Sequence, residues 1–246
     1  MNKKPTILAV AALGSLALIG TGFAGWVIVA NATSTAPGNI TAYEVTDNRL
    51  TATGKWAGDS ATADSGSIVF GKPSGASDTS STWFKSKDVG EEKLSDTYTL
   101  SIASKNDKDT AKVKVSAILN ITEKDSTNPY AAAVANNWIK APTLTYSGTD
   151  LFEKDSSGGT SKSVELTLVA GKVSAEFAFT FAWGSHFGGE NPQNPFTYYN
   201  NKEAGKTIND NTSETYGDDA AKVMGALGKI NQTKFSITFT IERAAA

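Results

Sequence analysis

The sequence predicts an all-β protein, an antiparallel β-sandwich with one or two short helices and long polar loops, and three observations carry that expectation. Apolar and polar residues alternate with a period of two in several stretches after residue 38, as they do in strands with one face buried and one in water. Helical periodicity is sparse and never separates strands in a regular βαβ order, which argues against a parallel α/β sheet. The connections are long and rich in Gly, Ser, Asn, Asp and Thr, the composition of surface turns. Many half-wet strands without intervening helices bury their apolar faces by packing two sheets over a shared core.

The chain opens with Lys3 and Lys4 ahead of an uncharged run from Thr6 to Ala32, the charged and apolar parts of an export signal. Residues 1–24 are read as a signal peptide cut after Ala24, because Gly22-Phe23-Ala24 puts small residues at the two positions that decide such a cut. Ala30-Asn31-Ala32 offers an alternative cut after residue 32. The uncharged run also exceeds the roughly 20 residues that span a bilayer, so an uncleaved leader would serve as a membrane anchor. Residues 25–38 are read as an N-terminal donor strand or linker, in which Trp26, Val27, Ile28 and Val29 have high strand propensity and no partner adjacent in sequence. Residues 39–246 are read as one sandwich domain.

Within that domain short strands are expected at Ile68–Phe70 and Leu144–Tyr146, and a weakly alternating one at Tyr98–Ile102. Four stretches alternate more strongly: Val113–Ile121, Val164–Leu168, Phe177–Trp183 and Phe235–Ile241. Asp218–Lys229 has acidic residues in its first turn and Val223, Met224 and Leu227 on one face, which predicts a short helix; Tyr130–Ile139 is a second candidate. Loops are expected at Thr53–Ser67, Gly71–Thr82, Asp150–Ser163 and Gly188–Asp218, with Asp59, Asp64, Asp78, Asp107 and Asp109 as solvated tips.

Composition narrows the function. The chain has 23 basic and 25 acidic residues, and loss of Lys3 and Lys4 with the leader takes the net charge from −2 to −4. No basic patch follows that would steer nucleic acid or an anionic membrane. There are no cysteines, so disulfides, a thiolate metal site and a cysteine nucleophile are excluded. His186 is the only histidine, which excludes a multi-histidine metal centre, and no G-x-S-x-G elbow supplies a serine nucleophile. Glu165, Glu176 and Glu242 fall on outer strand faces and read as solvated charge. Asp150, Glu153 and Asp155 lack the spacing of a calcium loop. The chain is read as non-enzymatic, with no cofactor, no metal and no catalytic residue.

The segment FAWGSHFGGENPQNPFTYYNN, residues 181–201, has two readings. It could present Trp183, Tyr198 and Tyr199 as a sugar-stacking platform, or fold back so that its aromatics cap one end of the sandwich; the second is preferred, because aromatics gain by burial.

A Lys-led apolar leader that ends in Gly20-Thr21-Gly22-Phe23-Ala24, followed after a short polar stretch by NITAYEVTDNRLTATGKW (residues 39–56), resembles the start of the TasA/camelysin-type bacterial biofilm-fibre subunits. The resemblance covers roughly the first 55 residues. It implies cleavage after Ala24, a jelly-roll-like form of the sandwich and assembly into matrix fibres. Gly25-Trp26-Val27-Ile28-Val29 departs from the aromatic and acidic residues usual after that cut, and the peptidase activity described for the camelysin branch is not carried over to a chain with one histidine. The sequence is thus read as a secreted, extracellular or cell-surface structural subunit, a homo-oligomer or filament built by donation of residues 25 to about 32 to an open sheet edge. The alternatives are a secreted carbohydrate-binding surface module, with polysaccharide as partner, and a secreted hydrolase. Nucleic acid is not expected as a partner, and the membrane only through an uncleaved leader.

Overall fold

The computed structural model describes residues 26–29, 40–45, 47, 49–57, 68–78, 82, 84, 90–122, 129–153, 161–202, 215–231 and 234–244. In chain order the elements are β1 (Trp26–Val29), β2 (Ile40–Val45), β3 (Leu50–Trp56), β4 (Ser95–Ser104), β5 (Lys112–Thr122), α1 (Pro129–Ala135), β6 (Thr143–Tyr146), β7 (Thr149–Asp150), β8 (Ser163–Thr167), β9 (Lys172–Thr180), α2 (Pro195–Lys202), α3 (Thr215–Ile230) and β10 (Lys234–Arg243). The strands make two five-stranded sheets, β1-β2-β10-β5-β8 and β3-β4-β9-β6-β7. Their facing sides meet through aromatic rings: Phe239 of β10 lies 5.3 Å from Tyr98 of β4 and 5.4 Å from Phe177 of β9, and Phe235 lies 5.3 Å from Phe181. The molecule is an all-β sandwich, and its buried apolar residues form one contiguous core.

The alternating stretches form strands because their apolar positions are the buried ones. Along β9, Ala175, Phe177 and Phe179 are buried while Ser174, Glu176 and Ala178 are exposed, and Phe235, Ile237, Phe239 and Ile241 line the inner face of β10. Among the described strands every adjacent pair is antiparallel except one. β2 runs parallel to β10, with Ile40 opposite Ser236 and Val45 opposite Ile241. Period-two patterning cannot distinguish the two directions, because it reports which face is buried and not the partner.

Several boundaries differ from the sequence reading. β9 begins at Lys172, ahead of the aromatic run, and Phe181–Trp183 continues past its end, with Trp183 bridging Ile139. Ile68–Phe70 contributes only the bridge between Val69 and Lys93. Leu50–Trp56 is a full strand where a loop was expected from Thr53. α2 lies inside the expected Gly188–Asp218 loop; the Phe196 N–H donates to Asn194 Oδ1 at 2.8 Å, and Pro195 follows this cap as the first helical residue. α3 and α1 occupy the two predicted helical regions, and Ala220, Val223, Leu227 and Ile230 give α3 a buried face at helical spacing.

Candidate functional site

Two features stand out: the open edge occupied by β1, and a polar clamp beside it. Among the described residues β1 is the edge strand of its sheet and pairs only with β2, antiparallel, with Trp26 opposite Val45, Val27 opposite Glu44, Ile28 opposite Tyr43 and Val29 opposite Ala42. Ten residues, 30–39, separate the two strands, against the 2–5 that usually close a hairpin. Fully extended, ten residues reach about 33–36 Å. The other edges carry features that discourage pairing with another chain. β8 presents Glu165, paired with Lys112 at 2.9 Å, β7 has two residues, and β3 contains Gly54 and Lys55. The sequence of β1 is apolar throughout.

The clamp lies just beyond β2, where Asp47 follows Val45 by two residues. Arg243, the last residue of β10, donates from Nε to Asp47 Oδ2 at 2.7 Å and from Nη1 to Asp109 Oδ1 at 3.3 Å, and its Nη2 pairs with Asp109 Oδ2. Arg49 donates to the same Asp47 carboxylate from Nη2 at 2.7 Å and Nε at 3.0 Å. Asp109 also accepts from the Ser104 hydroxyl at 2.7 Å and the Ala111 N–H at 3.0 Å, and its carbonyl accepts from the Gly171 N–H at 2.9 Å. Gly171 is required there, since its φ is +72° and an added Cβ would stand 2.4 Å from the Asn106 carbonyl oxygen. One arginine therefore links the end of β2 to the β4–β5 and β8–β9 connections. Asp109 is 8% exposed, which corrects its reading as a solvated tip. A cavity of about 260 Å³ beside the clamp is lined by Arg49, Ser104, Lys105, Asn106, Asp109 and Arg243.

The hydrogen bonds from Arg49 are the largest cause that pulls the Asp47 carboxyl down to about 2, with a smaller contribution from Arg243. Arg243, then the Ser104 hydroxyl and the Ala111 N–H, hold Asp109 well below the usual carboxylate range. Both folded values are depressed, so this stability is fully present above the unfolded value near 3.8 and is lost as pH falls through the folded values. The thermal midpoint, followed by circular dichroism, is expected to fall between about pH 5 and pH 2. Asp109→Asn is expected to lower the midpoint at pH 7 and to make its decline with acid shallower; an equally steep decline would remove the clamp from this account.

The residues of the 181–201 segment cap one end of the sandwich. Trp183 is 7% and Tyr199 1% exposed, which corrects the reading of these two as an open sugar-stacking platform: their faces are taken by protein. Trp183 packs against Phe70 and Phe187, at 5.8 and 5.9 Å, and its Nε1–H donates to Glu92 Oε2 at 2.6 Å. Tyr199 stacks on Phe84 at 6.1 Å, and its hydroxyl is 3.3 Å from His186 Nε2. Tyr198 is half-buried, its ring edge-on to Tyr199 at 5.2 Å.

Asp150 turns its Oδ1 to the backbone N–H groups of Leu144 and Phe152, at 2.9 and 3.0 Å, and Glu153 pairs with Lys162. Among the described residues no group of three or more His, Cys, Asp or Glu side chains is placed to hold a metal ion, and no helix is long and apolar enough to cross a membrane. The cleavage position Ala24, Gly25 and residues 30–39 lie outside the described residues, as does Asp155. Compared with models of known families, with curated proteins and with solved structures, the chain finds no match.

Sequence reading missed Asp47, Asp109 and Arg243 as a group. Asp109 and Arg243 are separated by 134 positions, and no short-range spacing marks such a partnership.

Proposed function

We propose that the chain is a non-enzymatic, exported structural subunit of an extracellular or cell-surface fibre of the biofilm-matrix type, and that it assembles by giving β1 to the next copy. The observation that carries this reading is the position of Trp26, Val27, Ile28 and Val29: an edge strand of apolar sequence whose one strand partner among the described residues is β2, on a connection far longer than the pairing needs. A β1 from a neighbouring copy can make the same backbone hydrogen bonds to β2 as the chain's own β1, so exchange trades equivalent contacts. Each copy then receives one strand and gives one, a head-to-tail contact that grows into a filament when the rotation between copies does not close a ring. The resemblance of roughly the first 55 residues to TasA/camelysin-type fibre subunits points the same way. Cleavage after Ala24 leaves the donor strand on the exported chain, whereas cleavage after Ala32 removes it.

Electron microscopy of two forms tests this. A chain that starts at Gly25 is expected to form fibres at high concentration, and a chain that starts at Thr33 to remain dispersed. Fibres from the second form, or none from the first at any concentration, would overturn the proposal.

A further inference from the structure

Resting on the strand-exchange reading, we infer that Arg243 is a positioning residue that pins β2 to the body of the sandwich, so that the exchanging unit is β1 alone and not the β1–β2 pair.

When β1 leaves, β2 becomes the edge strand, joined to the sheet only by its parallel ladder to β10 from Ile40 to Val45. A six-residue edge strand with one neighbour would tend to peel away with β1. Two observations oppose this. The Arg243–Asp47 contact, at 2.7 Å, lies two residues beyond the last ladder position on each strand, Ile241 and Val45, and closes the pair at that end. The same guanidinium holds Asp109, which is buried and tied to Ser104, Ala111 and Gly171, so the pin is anchored in two inter-sheet connections outside the β1–β2 unit. A planar guanidinium can meet both carboxylates at once, which a lysine ammonium cannot do with the same geometry. Among the described strands, β1 is joined to the sheet through its backbone ladder to β2.

Peptide-resolved hydrogen exchange on the unassembled full chain tests the inference, and it does so whether or not fibres form. In the unsubstituted chain, amides of 26–29 are expected to exchange faster than those of 40–45. Arg243→Met is expected to speed exchange in 40–45 by about tenfold, until the two segments exchange together, while 95–104 and 172–180 change by less than about twofold. Asp47→Asn, which weakens the β2 side of the pin together with the Arg49 contact to the same carboxylate, should give the same pattern with smaller amplitude, and it serves if Arg243→Met does not fold. A uniform loss of protection across both sheets, or unchanged protection in 40–45 in both variants, would show Arg243 to be only a general stabilising contact and would overturn the inference. Failure of fibre growth together with the selective pattern would overturn strand donation and leave the pin standing.

Discussion

Phe239→Ala is expected to lower stability by about 3–5 kcal/mol, close to the largest cost of a single core truncation. Phe239 is fully buried on β10 and reaches across the sandwich to two strands of the other sheet, stacked on Tyr98 with ring planes 19° apart and tilted against Phe177. Its removal takes away apolar burial and two ring pairs, each worth about 0.5–1.5 kcal/mol beyond area, and it leaves a cavity that pleated backbone on either side fills poorly. Domains are typically stable by about 5–15 kcal/mol, so this one change removes a large part of the total. Urea unfolding reads it as a lower midpoint with an unchanged slope. A loss below about 1 kcal/mol would mean that the sheets do not meet through this ring.

The second large effect is expected at Gly184, immediately after Trp183. An added Cβ there would lie 1.9 Å from the Asn137 carbonyl oxygen and 2.4 Å from its carbon, atoms of main chain that cannot rotate aside. The φ of Gly184 is −88°, so the obstacle is space and not backbone conformation. Asn137 is itself held at a φ of +55° and accepts from the His186 N–H at 3.1 Å, while the Gly184 N–H donates to the Trp138 carbonyl at 2.9 Å. Gly184→Ala therefore has to separate the α1 turn from the 181–187 segment, at a cost of about 3 kcal/mol or more. Near-ultraviolet circular dichroism from Trp138 and Trp183 should weaken before the strand signal is lost. A variant that melts like the original would contradict the close approach.

How much could be read from the chain depended on how local the cause was. β5, β8 and β10 were legible because strands buried on one side must alternate, and their partners are irrelevant to that pattern. β3 was not, because Gly54 and three small or hydroxyl residues dilute the contrast between its buried Leu50, Ala52 and Trp56 and its exposed positions. α2 was hidden because Asn194-Pro195 lies in the stretch expected as a loop, Gly188–Asp218, although this dipeptide caps a helix and starts it. The parallel pairing of β2 with β10 and the Arg243 clamp depend on contacts nearly 200 residues apart in the chain, and no pattern within a window contains them. The aromatic segment was legible in its preferred form, a cap, because burial favours aromatic side chains wherever the backbone can fold over them.

Fibre growth by strand donation requires that β1 of one copy occupy the seat on β2 of another. Because the chain has no cysteine, a chain carrying Ile28→Cys can be mixed with one carrying Tyr43→Cys under mild oxidation, with no competing thiol. These positions face each other in the β1–β2 register, where paired residues have Cα atoms about 4.5–5.5 Å apart, within reach of a disulfide. Strand donation predicts a disulfide joining the two different chains, accumulating as fibres grow. Its absence, in a mixture where a chain carrying both substitutions closes the bond within itself, would show β1 to be a permanent strand of its own sandwich.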